Sequence, residues 1–101
     1  MSTNFYVKVA ADNEEIHFGK SSTGWVFTVR QYPEQGLCTL YDWMSLLASP
    51  YNTVRDEYGS DVSVAELMNT VMNRVGYRRG RLKDGKTQGE GSWDYANYEF
   101  C

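Results

Sequence analysis

The chain reads as an α+β domain, a curved antiparallel sheet of four or five strands with two helices packed on one face. Three observations predict it. Apolar residues alternate with polar ones in the first third of the chain, as in half-buried strands. A hydroxyl followed by an acid three residues on then introduces an apolar segment after Thr39. Finally, apolar residues recur at helical spacing after Ser63. At 101 residues the chain is sized for one domain and one core. Its 42% hydrophobic and 15% aromatic content suits a folded globule rather than a disordered one.

Taken in order, Phe5, Val7 and Val9 alternate with Tyr6, Lys8 and Ala10, which predicts a strand over 4–10. Asp12 and Asn13 supply a turn. A short strand over 15–18 and another over 25–30, where Trp25, Phe27 and Val29 alternate with Val26, Thr28 and Arg30, complete a meander. Ser21-Ser22-Thr23-Gly24 is expected to be the turn between them. Tyr32-Pro33-Glu34-Gln35-Gly36 closes this part of the chain.

Thr39 with Asp42 forms a variant capping box, so a short helix follows over 40–48 and stops before Pro50. The segment 54–62, interrupted by Gly59-Ser60, suits a small extended excursion or hairpin better than a helix. Ser63 and Glu66 form a second capping box, and Val64, Leu67, Met68, Val71, Met72 and Val75 mark one apolar face of a helix that Gly76 ends. Trp93, Tyr95, Tyr98 and Phe100 need burial, and a last strand returning to the sheet provides it.

Charge is unevenly spread. Residues 1–76 carry nine acidic and five basic side chains, whereas 77–87 carry five basic and one acidic. A net charge of −3 argues against general nucleic-acid affinity, which needs a basic face that neutralises several phosphates. No apolar run approaches a membrane span, and no basic segment followed by an apolar one opens the chain. A soluble, intracellular protein with Cys38 and Cys101 as free thiols is expected.

Groups able to hold a ligand concentrate in His17-Phe18-Gly19-Lys20-Ser21-Ser22-Thr23-Gly24-Trp25. Gly19-Lys20-Ser21 looks like the end of a phosphate-binding loop. However, Glu14 stands where that motif needs glycine, and a strand pattern follows where it needs a helix. His17 is the only histidine, and no Cys, Asp or Glu lies at a spacing that defines a metal site, so it is expected to make ordinary hydrogen bonds on one face of a strand. Ser21 or Ser22 lacks an oriented base and acid for nucleophilic catalysis. Neither a catalytic residue, a metal nor a cofactor is therefore assigned. The candidate binding residues are His17, Lys20, Ser21, Ser22 and Trp25, together with Arg78, Arg79 and Arg81 of the basic loop and Trp93 beyond it. Arginine forks grip phosphate, and tryptophan stacks on a base.

The order His17-x-Gly19-Lys20-Ser21-Ser22-x-Gly24-Trp25-x-Phe27, then Tyr32-Pro33-Glu34-x-Gly36, Asp56-Glu57-Tyr58-Gly59 and Gly89-Glu90-Gly91-x-Trp93-Asp94 resembles a family of small proteins encoded by tailed bacteriophages, over residues 15–100. That family has no established activity. Where such proteins carry a cysteine this chain has Val26, and where they carry histidines it has Thr87 and Gln88, which argues against a shared metal site. The resemblance implies action in the cytoplasm of an infected bacterium. Two functions then fit. One is a non-enzymatic inhibitor of a host protein, such as a defence component, acting through an acidic, aromatic-rich surface that includes Asp42, Asp56, Glu57, Asp61 and Glu66. The other is a binder that sequesters a nucleotide or nucleotide-derived signal on the Gly19-Lys20-Ser21-Ser22 turn. The chain is compatible with a monomer or a homodimer.

Overall fold

The structure is a computed structural model that describes residues 2–22, 24–73, 86–88 and 91–97. Its strands are β1 (Ser2–Val9), β2 (Glu14–Ser22), β3 (Thr28–Arg30), β4 (Thr53–Asp56), β5 (Asp61–Val62), β6 (Lys86–Gln88) and β7 (Asp94–Ala96). Helices α1 (Leu40–Leu47) and α2 (Val64–Asn73) interrupt them. All seven strands join one sheet in the order β5-β4-β1-β2-β3-β7-β6. The α+β class is as the sequence predicts, but the described residues hold seven strands instead of four or five.

Nor is the sheet wholly antiparallel. The last strand does return to it, yet β7 pairs with β3 in parallel, Thr28 opposite Asp94 and Arg30 opposite Ala96. Parallel neighbours need a long crossover, and here the chain between them builds both helices and the β4–β5 hairpin. The hairpin itself, expected from Gly59-Ser60, adds two strands beside β1. Gly59 takes φ 84°, the left-handed conformation its turn requires.

β2 runs longer than the alternation suggested. Ser21 and Ser22 pair with Thr3 and Ser2, so the polar end of the strand is held by its ladder and not by side-chain burial. A bulge divides the β1–β2 pairing, since Phe5 faces Gly19 while Tyr6 faces His17. Phe18 is the extra residue, and it is fully buried. Such an insertion re-aims one side chain without ending the strand. On the helix-bearing face, Phe5 and Val7 join Val29, Val54 and Tyr95 in the core.

The capping box expected at Thr39 forms in full, and of the one expected at Ser63 the hydroxyl half forms. Thr39 Oγ1 accepts from Asp42 N at 3.2 Å while Asp42 Oδ2 accepts from Thr39 N at 3.0 Å. Ser63 Oγ accepts from Glu66 N at 3.1 Å at the start of α2. The expected continuation of α2 to residue 75 and the Gly76 cap lie outside the described residues.

Leu40, Trp43 and Leu47 of α1 and Leu67, Met68 and Val71 of α2 enter the same core. Trp43 meets Phe18 edge-on at 5.0 Å between ring centroids, and its indole N–H donates to Arg30 O at 2.9 Å. The ring is thereby buried without an unmade polar bond, which makes it the main anchor of α1. Tyr95 Oη accepts from Leu40 N at 2.7 Å, tying β7 to the first turn of α1. Ser92 Oγ donates to Met72 O at 2.8 Å near the end of α2. No described helix is long and apolar enough to cross a membrane.

Candidate functional site

The Gly19-Lys20-Ser21-Ser22 segment is strand and not turn. Lys20 pairs with Asn4 on one side and Thr28 on the other, so its backbone belongs to two ladders. A phosphate cradle needs several backbone N–H groups aimed at the ligand, and ladder pairing commits them elsewhere. Gly19 has its own structural reason. A Cβ there would collide with Thr28 O and lie 2.6 Å from Phe27 Cε1, both on the chain entering the neighbouring strand β3. The change of direction comes later, where Gly24 takes φ 84° and Trp25 N donates to Ser22 O at 3.1 Å. The expected turn over 21–24 is therefore corrected to a strand that continues through Ser22.

The register places Asn4, Lys20, Thr28 and Asp94 in one row on the sheet face opposite the helices. Asp94 and Asn4 are both buried. Asn4 is the hub of this face. Its backbone N donates to Glu57 Oε1 at 2.7 Å and its Nδ2 to the same oxygen at 3.4 Å. With the amide nitrogen so directed, Asn4 Oδ1 accepts from His17 Nε2 at 2.9 Å. Tyr6 packs on the imidazole at 5.3 Å between ring centroids, and Tyr32 Oη donates to His17 O at 3.0 Å. The Arg30 guanidinium lies 4.6 Å from the Tyr32 ring centroid.

His17 thus makes the strand-face hydrogen bonds expected of it. The Asn4 bonds join β1, β2 and the β4–β5 turn. Among the described residues no group of three or more His, Cys, Asp or Glu side chains is arranged to hold a metal.

The other candidates are dispersed. Trp25 is 42% exposed beside the β2–β3 turn. Trp93, in contrast, is 5% exposed within the core, with Gly91 so close that a Cβ there would lie 2.5 Å from the indole. Its ring packs in the core instead of standing on the surface as Trp25 does. Arg78, Arg79 and Arg81 lie outside the described residues, whereas Lys86 and Thr87, at the end of the expected basic loop over 77–87, form β6 with Gln88.

Several of the acidic residues have local tasks. Asp56 Oδ1 accepts from Tyr58 N and Ser60 N inside the hairpin turn. Bonds from Cys38 N and Thr39 N hold the Asp42 carboxyl below its ordinary pKa, against a smaller opposing effect of burial. Asp61 and Glu66 face outward, the former beside Arg55 at 3.2 Å. Cys38 is a free, exposed thiol, and Cys101 lies outside the described residues.

A different set of side chains stands out on the surface. Tyr41, Met44, Tyr51, Tyr58 and Met72 are exposed, Tyr51 to 78% and Tyr58 to 68%. Tyr41, Met44 and Ala48 follow one another at helical spacing along the outer side of α1. The signal was present in the sequence: Leu40, Tyr41, Trp43, Met44, Leu46 and Leu47 give this short helix more apolar residues than one buried stripe uses.

Fold and surface together define an open-sheet α+β domain with one side of helices and exposed aromatic residues. Comparison of the chain with family models, with curated proteins and with solved structures finds no match.

Proposed function

We propose that the chain is a non-enzymatic binding protein that docks on a bacterial host protein and inhibits it. The observation that carries this reading is the exposure of Tyr41, Met44 and Tyr51 on and just after α1. Large aromatic and Met side chains left outside a well-filled core are characteristic interface anchors. The setting, the cytoplasm of a bacterium infected by a phage, comes from the motif resemblance and concerns the host partner alone. Sequestration of a nucleotide has less support, because Lys20 and its neighbours serve the ladder and Trp93 serves the core.

The test is capture from bacterial lysate by the tagged protein, read by mass spectrometry. One stoichiometric host protein is expected with the wild type and with Lys20→Ala/Trp25→Ala. It should be lost with Tyr41→Ser/Met44→Ser/Tyr51→Ser, checked to be folded. A nucleotide released on denaturing the wild type, with no protein partner, would overturn the proposal in favour of sequestration.

A further inference from the structure

A groove of about 420 Å³ opens between the β4–β5 hairpin and the first turn of α2. Val54, Val62 and Val64 give it an apolar lining, and Arg55, Asp61 and Ser63 stand among its polar residues. Val54 belongs to the core, while Val62 and Val64 are only partly covered. Among the described residues β5, two residues long, is the last strand on this side of the sheet, and both its residues line the groove. A strand at the edge of a sheet accepts an added extended segment.

Charge selects the occupant. Residues 31–73 build α1, the β4–β5 hairpin and α2, and they carry Glu34, Asp42, Asp56, Glu57, Asp61 and Glu66 against a single base, Arg55. This part of the chain therefore has a net charge of −5 within a chain of −3. The single base is ion-paired with Asp61 in an exposed bridge, with side chains 48% and 84% accessible. Such a bridge contributes little, so an incoming cation can take Asp61 at low cost. An acidic segment would have to approach against the surrounding carboxylates.

We infer that this groove receives an extended, basic segment of a protein partner, one apolar side chain resting on Val62 and Val64 and Lys or Arg side chains meeting Asp61 and Glu66. The inference rests on the proposed binding function and names the surface and the partner chemistry.

Selection of randomised peptides on the immobilised full chain tests it. Enriched peptides should place Lys or Arg around a Val, Ile, Leu or aromatic residue. Their affinity should fall with added salt and weaken about tenfold or more in Asp61→Lys/Glu66→Lys, since opposing charges are replaced by like ones. Asp61→Asn/Glu66→Gln is the milder variant should charge reversal unfold the protein. Lys20→Glu, on β2 three strands away from β5, should bind as the wild type does.

Enrichment of acidic or uncharged peptides, no enrichment, or indifference to both groove variants overturns the inference. So does a dimer that Val62→Gln dissociates, since a second copy would then fill the groove. Host-protein capture that persists in the groove variants removes this inference alone, whereas absence of any capture removes the binding function beneath it.

Discussion

Gly19 lies where β2 pairs with β3 and leaves no room for a side chain, and replacing it by alanine perturbs that contact almost in isolation. Its φ is not in the left-handed region, so an alanine there pays no backbone strain. The cost is steric. The new methyl would overlap Thr28 O and sit 2.6 Å from Phe27 Cε1 and 3.2 Å from Thr28 C. Two of these three atoms belong to backbone held in the β2–β3 ladder, and Phe27 is fully buried, so nothing nearby swings away freely.

Overpacking of a tight site costs about 1–3 kcal/mol, and the backbone obstruction places Gly19→Ala near about 3 kcal/mol. For 101 residues the unfolding entropy near the midpoint is about 0.21 kcal/mol/K. The midpoint should therefore fall by about 14 °C. Thermal unfolding followed by circular dichroism, with urea unfolding for the free energy, measures both. Gly59→Ala, at φ 84° with no heavy atom within 4 Å, should cost only the left-handed strain of about 1 kcal/mol. A Gly19→Ala midpoint within about 3 °C of the wild type would refute the close-approach reasoning and return Gly19 to the status of a ligand-loop residue.

Tyr95→Phe leaves Leu40 N without its acceptor at the buried start of α1, and should cost about 1–2 kcal/mol in urea unfolding. Asp42→Asn should destabilise the protein at neutral pH. Because the folded-state pKa of Asp42 is lowered, its ionisation stabilises the fold above the ordinary carboxylate value of 3.8, and that contribution is lost as pH falls below it through the folded value. The difference between wild type and variant should accordingly shrink in acid. Tyr41→Ser/Met44→Ser/Tyr51→Ser, all at exposed positions, should change stability by only about 0.5 kcal/mol per site while abolishing host-protein capture. Asn4→Ala removes the acceptor of His17 and one donor to Glu57, and is expected to cost about 1–3 kcal/mol with a change in the His17 ring resonances by NMR.

What could be read from the sequence was what is local. Thr39 with Asp42 and Ser63 with Glu66 announce helix starts through contacts three residues apart, and both hydroxyl caps form. The alternation of Phe5, Val7 and Val9 likewise reports a face directly. Pairing between distant segments was not legible. Ser21 and Ser22 have turn composition, and only the partner strand at Ser2 and Thr3 makes them strand. The bulge at Phe18 leaves no mark in periodicity, since it is defined by the register across β1. Asp94–Ala96 is too short to reveal a direction, so the parallel pairing with β3 could not be anticipated.

For the candidate site, sequence richness pointed to 17–25 because glycine, lysine and hydroxyls resemble a ligand loop. The same residues turned out to meet the demands of a bulged, crowded strand. The exposed side of α1 was encoded by its surplus of apolar residues, and a count of buried positions against apolar positions is what brings it out.

Amide hydrogen exchange of the chain, alone and with a host protein recovered in the capture experiment, locates the docking surface. Exchange is expected to slow over 40–48 and 61–66, on α1, β5 and the first turn of α2, with 17–22 unchanged. Protection confined to 17–22, with the helix side unaffected, would contradict this placement.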